Sequence, residues 1–239
     1  MISSVVYSSQ TGVHASLAET VEKHCRSEWK QPIREHTRQA FEGFRAVLGD
    51  SALNGFILDT GCGTGQSTVQ LAKQFPHSLV VGIDQSGERL GRGIVSIAQK
   101  NELLKQPVVM GNCVLLRAEV ADFWRLLKIN KLTPEKIFIF YPNPWPKSAH
   151  LLRRWHAHPV FPTLMGFGVP IELRSNWRIY LQEFALAVEI ITANQPQLEL
   201  MKREELAGAF CTPFEKKYYA SGHSLWRLQT DKQSLSPRT

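Results

Sequence analysis

From Gly55 onward, short runs of contiguous apolar residues alternate with longer stretches in which apolar residues recur every three or four positions. The first pattern predicts buried strands and the second amphipathic helices. Strands are expected at Gly55–Asp59, Leu79–Asp84, Cys113–Leu116, Ile137–Phe140, Ile171–Arg174 and Ser224–Leu228. Helices are expected at Gln66–Phe75, about Gly87–Asn101, Phe123–Leu127 and Trp177–Ala193. Apolar strands that alternate with helices imply a doubly wound α/β domain with a mostly parallel sheet covered on both faces.

Upstream of the first strand, apolar residues at helical spacing from Thr37 to Leu48 predict a helix within an N-terminal extension. The expected partition is therefore an extension over residues 1–50, a main domain over 51–229 and a polar tail over 230–239. A chain of 239 residues, 43% of them hydrophobic, buries a sizeable core. Its four cysteines are far apart, without CxxC or Cys/His ligand spacing, which argues against a zinc site or a disulfide framework. The first residues lack a basic segment followed by a long apolar one, and no run approaches the roughly 18 apolar residues of a spanning helix. A cytoplasmic protein with no membrane partner and no metal is expected. The net charge of +7 makes polyanions plausible partners without bearing on the fold. Monomer and homodimer are both compatible with the sequence.

Asp59-Thr-Gly61-Cys-Gly63-Thr-Gly65 lies between the first expected strand and helix, where parallel sheets bind ligands. Alternate glycines let the backbone turn tightly and approach a ligand closely. A dinucleotide loop would need G-x-G-x-x-G, and Gln66 stands at its third glycine position. The stretch instead resembles the first motif of class I S-adenosylmethionine-dependent methyltransferases, an acidic residue followed by G-x-G-x-G. That resemblance implies a Rossmann-like methyltransferase sheet, with Asp59, Gly61, Gly63 and Gly65 around the cofactor. It further implies Asp84 at the ribose hydroxyls and Glu119 beside the adenine.

The fourth expected strand runs into Tyr141-Pro-Asn-Pro-Trp-Pro-Lys-Ser-Ala-His150. Prolines on both sides of Asn143 stiffen this exit by fixing φ, so that it can hold side chains in place at little entropic cost. The segment resembles the tRNA guanine-N7 methyltransferase signature P-D-P-W-P/H-K-x-R-H-x-K-R-R, with Pro142, Pro144, Trp145, Pro146, Lys147, His150, Arg153 and Arg154 in order. Gly168, Ser175-Asn176-Trp177 and Tyr180 resemble the family's G-G…T-D-W-x-x-Y. Thr212-x-Phe214-Glu215, with Lys217 and Gly222, resembles its T-x-F-E-x-[KR]…G. The resemblance spans about Gly55 to Leu228. Asn143 and Asn176 stand where the family has base-holding carboxylates, and Ser148, Ala149 and Leu152 where it has basic residues.

Guanine N7 carries a lone pair and no proton, so methylation there needs no general base, and positioning supplies the rate. Carboxylates only accept hydrogen bonds, whereas an amide both accepts and donates. An opposed donor in a dry pocket costs about 1–3 kcal/mol. The resemblance therefore implies transfer from S-adenosylmethionine to tRNA guanine N7, with Asn143 and Asn176 at the base. Lys147, His150, Arg153 and Arg154 would bind phosphates of the tRNA, joined by Thr212 and Glu215 in closing the site. Two further readings stand beside it. Asn143-Pro144-Trp145 partly matches the [DN]-P-P-[YF] motif of amino-group (N6-adenine-type) methyltransferases but lacks the second proline. The two asparagines also fit a catalytically weak RNA-binding protein on the same scaffold.

Overall fold

Strands β1, Phe56–Thr60, and β2, Leu79–Asp84, are buried at every position. That is the state expected of apolar runs covered on both faces of a parallel sheet. A computed structural model describes residues 3–53, 55–92, 106–208 and 210–232. The chain forms two units, one comprising Gln31–Phe140 and the other the residues up to Lys30 together with those from Tyr141 onward.

In the Gln31–Phe140 unit, β1 and β2 are joined by β3, Val108–Met110, β4, Cys113–Arg117, and β5, Lys136–Phe140, in the order β3-β4-β2-β1-β5. β1 runs parallel to β2 and β5, and β2 parallel to β4, while β3 is a short antiparallel edge that the apolar pattern did not signal. Helix Gln66–Gln74 follows β1, and its approach to β2 depends on Gly82, where a Cβ would run into Thr68 Oγ1. The expected upstream helix is Glu35–Asp50, with Thr37, Ala40, Phe41 and Phe44 on its buried face. Phe41 and Phe44 meet Phe123 of helix Val120–Ile129, with ring centroids 5.3 and 5.5 Å apart. The helix expected at Gly87–Asn101 is described as Gly87–Gly91; positions 93–101 lie outside the described residues, as do 233–239 of the expected tail.

The other unit contains β6, Ile171–Ser175, β7, Gln197–Leu200, and β8, Trp226–Thr230, antiparallel in the order β6-β8-β7. The last strand begins two residues later than expected, because pairing of Trp226 with Ser175 and of Thr230 with Ile171 sets its register. Helix Leu17–Cys25 packs on helix Arg178–Thr192 in this unit, so the expected extension over 1–50 contributes one helix to each unit. Among the described residues no helix is long and apolar enough to cross a membrane.

Glu183, fully buried in helix Arg178–Thr192, holds four groups from two segments. Its Oε1 accepts from Gln10 Nε2 at 2.5 Å and from the His14 backbone N–H at 3.0 Å. Its Oε2 accepts from Arg154 Nη1 at 2.6 Å and meets His156 Nε2 at 2.9 Å. Burial pushes the carboxyl up, but the hydrogen bonds and charges of His156 and Arg154 outweigh it and hold the group at about 2. Burial lowers His156, against the pull of the Glu183 carboxylate.

Removing one partner of a buried ion pair leaves the other uncompensated, so Glu183→Gln is expected to cost about 3–5 kcal/mol in urea unfolding. A loss below about 1 kcal/mol would show that Arg154 finds another partner. Because the Glu183 pKa falls on folding, its stabilisation is present above 4.5 and is lost as pH drops towards about 2. Acid titration of the variant should lack that loss.

Candidate functional site

All three glycines of the loop after β1 have left-handed backbones, with φ of 71° at Gly61, 60° at Gly63 and 78° at Gly65. Side chains other than glycine are strained there. Gly61 and Cys62 donate to the Ile83 carbonyl at 2.8 and 3.0 Å, which ties the loop to the end of β2. Asp84 continues that tie. Its Oδ2 accepts from the Gly63 N–H at 3.0 Å and lies 3.5 Å from Arg89 Nη1, and its Oδ1 accepts from the Ser86 N–H at 2.8 Å. The residue expected at the ribose is therefore also the anchor of the glycine loop, and each of its oxygens keeps a lone pair for a further donor.

Asp59 is 1% exposed, and its Oδ2 accepts from Ser67 Oγ at 2.6 Å and Thr68 Oγ1 at 2.7 Å, which pins helix Gln66–Gln74 to β1. Its Oδ1 is buried without a hydrogen-bond partner. Burial raises the carboxyl to about 6 against the pull of the two hydroxyls. Glu119 precedes helix Val120–Ile129, with its backbone N–H on Thr37 Oγ1 and its carboxylate 3.3 Å from Arg34. Burial raises it, and Arg34 opposes the rise.

These features fit S-adenosylmethionine. A Cβ at Gly61 or Gly63 would meet no atom within 4 Å, so one side of the loop is open. An unpartnered buried carboxylate oxygen suits an ammonium, and the acceptors on Asp84 and Glu119 suit hydroxyl and amino donors.

The proline segment belongs to the other unit and contains two non-glycine residues in the left-handed region, Tyr141 at φ 50° and Trp145 at 45°. Each precedes a proline, which disfavours compact backbone conformations before it. Strain of this kind costs about 1–3 kcal/mol per residue and persists only where the surroundings impose it. Here Tyr141 donates its backbone N–H to Arg174 O and its hydroxyl to Glu215 Oε1, at 2.8 and 2.9 Å. The Trp145 carbonyl accepts from Arg154 Nε and Nη2 at 3.2 and 3.0 Å, and the Pro146 carbonyl from Ser8 Oγ at 2.6 Å. Asn143 Oδ1 accepts from the Trp145 N–H at 3.2 Å, which orients the amide and leaves its NH2 and one oxygen lone pair for a ligand.

Arg154, expected among the phosphate ligands, is fully buried, and its donors go to Glu183, Gln10 and the Trp145 carbonyl. Its place is beneath the proline segment. His156 is buried with it. Lys147 and Arg153 are exposed, with the Arg153 guanidinium 4.7 Å from the Trp145 ring and the His150 ring against the edge of the same indole. Thr212 caps helix Pro213–Ala220 by accepting the Glu215 N–H at 2.9 Å. Glu215 is fully buried and takes Tyr141, Arg174 and the Cys211 N–H, so both residues brace the segment from within. Asn176 directly follows β6, and its Nδ2 lies 3.1 Å from His223 Nδ1.

Sequence reasoning missed Glu183, Tyr141, Arg174 and His223. An acid inside the apolar helix pattern was the one visible signal for Glu183, and the glycine before His223 marked its turn. Tyr141 and Arg174 carry no such signal.

A raised carboxyl is most stable protonated. The Asp59 contribution is full below 3.8 and is lost as pH rises through about 6. A bound ammonium favours the ionised form, so S-adenosylmethionine affinity should rise with pH across that interval, with proton release. Calorimetry in buffers of different ionisation heat measures the release; Asp59→Asn should abolish it, and equal release from both proteins would exclude Asp59.

Residues 54–228 match the family model described as "Putative methyltransferase". A tRNA (guanine-N(7)-)-methyltransferase of Burkholderia lata is 26% identical over 200 residues, 80% of this chain and 71% of that one. The enzyme of the same name from Neisseria meningitidis serogroup A is 29% identical over 183 residues, 72% of this chain and 69% of that one. Among solved structures, an antibiotic-related methyltransferase aligns with TM-score 0.56 and 13% identity, covering 84% of this chain and 100% of its own. A 16S rRNA methyltransferase aligns at 0.52 and 17%, covering 83% and 94%. At such identities these two structures speak to the fold alone. The family match spans most of the chain and includes both the glycine loop and the proline segment, and the chain belongs to this family of S-adenosylmethionine-dependent methyltransferases.

Proposed function

We propose that the protein methylates guanine N7 in tRNA. The observation that carries this reading is the strained Tyr141–Trp145 backbone, clamped by buried ion-pair networks within the segment that resembles the guanine-N7 signature. Such strain fits a segment that must hold a reactant at a fixed angle. The tRNA guanine-N7 methyltransferases of Burkholderia lata and Neisseria meningitidis, similar over most of this chain, support the same substrate.

The donor would be held by the Gly61–Gly65 loop, Asp59, Asp84 and Glu119, and it supplies an electrophilic methyl on a sulfonium. The chain itself binds and orients. Asn143 presents its NH2, which suits an acceptor such as guanine O6, and Asn176 meets the base from the end of β6. No residue has to remove a proton from N7. Exposed Lys147 and Arg153 contact phosphates, and Arg154 acts through the segment that it supports.

Mass spectrometry of nucleosides from tRNA treated with protein and S-adenosylmethionine should show 7-methylguanosine. A methyladenosine instead would favour the amino-group reading, and no product a binding role. Each phosphate contact adds a slope of about 0.7–0.9 in log K against log salt, so Arg153→Ala should flatten the salt dependence of tRNA binding by about one contact. Arg154→Ala should leave the slope per folded molecule unchanged and lower stability instead. Asn143→Asp keeps one oxygen for the Trp145 N–H and turns the outward group into an acceptor. It should change kcat/KM for tRNA by about tenfold, or ~1.4 kcal/mol, with cofactor affinity constant. Its direction tells which guanine group faces Asn143.

A further inference from the structure

Asn176 is half-buried, and its Nδ2 faces Nδ1 of His223 at 3.1 Å. Across the same ring, Nε2 lies 3.0 Å from the carbonyl oxygen of Ser3. The imidazole lies flat on Tyr218, with 15° between planes and centroids 5.2 Å apart. Gly222, at φ 77°, turns the chain so that the His223 N–H returns to the Tyr218 carbonyl at 3.0 Å. The ring is therefore fixed on its two edges, one face and its backbone.

A carbonyl oxygen only accepts, so the nitrogen facing Ser3 is the one that bears the proton. In the neutral ring Nδ1 is then bare and also only accepts. The Asn176 group that faces it must be the NH2, and Oδ1 is turned away from His223. No described residue donates to that oxygen.

We propose that His223, set by the Ser3 carbonyl, is a specificity-determining positioning residue that fixes the Asn176 amide with its oxygen alone towards the target base. A neutral amide thereby offers the acceptor that a carboxylate offers at the corresponding position of the family that the sequence resembles. The base edge selected is one with an N–H donor, such as N1–H and the N2 amino group of guanine. This inference rests on the proposed placement of Asn176 at the base. It also explains why an aspartate is not interchangeable here: the carboxylate of Asn176→Asp would face bare Nδ1 with another acceptor, and His223 would have to take up a proton.

The test combines kinetics with nitrogen NMR of the histidine ring. His223→Phe keeps the stack on Tyr218 but frees the amide to rotate, and should lower kcat/KM for tRNA roughly tenfold with S-adenosylmethionine affinity unchanged. Adding Asn176→Asp to that variant should restore most of the loss, because a carboxylate accepts whichever way it turns. A merely structural role for His223 would not be rescued in this way, and a double variant no better than His223→Phe overturns the proposal. In the spectrum of the wild-type protein at neutral pH, His223 should carry its proton on Nε2 alone, and in Asn176→Asp on both nitrogens. A proton on Nδ1 of the wild type overturns the proposal whatever the activity. If the wild type methylates no tRNA guanine, the proposed function falls, and the ring spectrum by itself decides the orientation of Asn176.

Discussion

A guanidinium removed from water must have its charge answered inside the protein, and Glu183 answers that of Arg154 at 2.6 Å. Much of the proline segment depends on this pair. The carboxylate also takes the Gln10 amide and the His14 N–H, so the N-terminal arm is tied to the same point. The remaining guanidinium donors reach the Trp145 carbonyl and hold a backbone conformation that a residue before proline does not adopt unaided. On the far side of the segment, Glu215 does the same for Tyr141, with Arg174 as its counter-charge. Two buried acid–base pairs thus bracket five residues and offset their strain.

The two acids around the glycine loop are held differently. Asp59 and Asp84 are both nearly inaccessible, yet their environments separate their tasks. Asp84 takes one backbone donor on each oxygen and lies beside Arg89, which suits an anchor of the loop. Asp59 has two hydroxyl partners on one oxygen and none on the other, and burial raises it to about 6. One carboxylate builds the loop; the other is left responsive to a cation.

Under the proposed guanine-N7 reading, amides can stand where the resembling family has carboxylates. Alkylation of a lone pair asks the protein for alignment and hydrogen-bond polarity, and neither requires a negative charge. Polarity can be set by a neighbour, and His223 is in place to set it for Asn176. In the proposed site Asn143 differs from Asn176, because its oxygen already accepts from the Trp145 N–H.

Most of the parallel strands were legible in the sequence because a buried strand is a local run of apolar residues, and β2 runs over the predicted Leu79–Asp84 span. The glycine loop was legible for a similar reason: φ near 60–80° at three alternate positions is a demand on residue type. The edge strands β3 and β7 were not, since both are short and neither is fully buried, so neither shows as a run of apolar residues. The basic residues after the proline segment show the same division. Lys147, Arg153 and Arg154 are alike as letters, and only packing sends Arg154 inward to Glu183, 29 positions along the chain, while its neighbour stays on the surface. The Asn143 and Asn176 amides could be read from the sequence as residue types, but the direction each one faces depends on Trp145, His223 and Ser3. Backbone demands are local and so are written in the sequence; the orientation of a polar group is set by whatever hydrogen-bonding partner the fold brings to it, which only the tertiary structure decides.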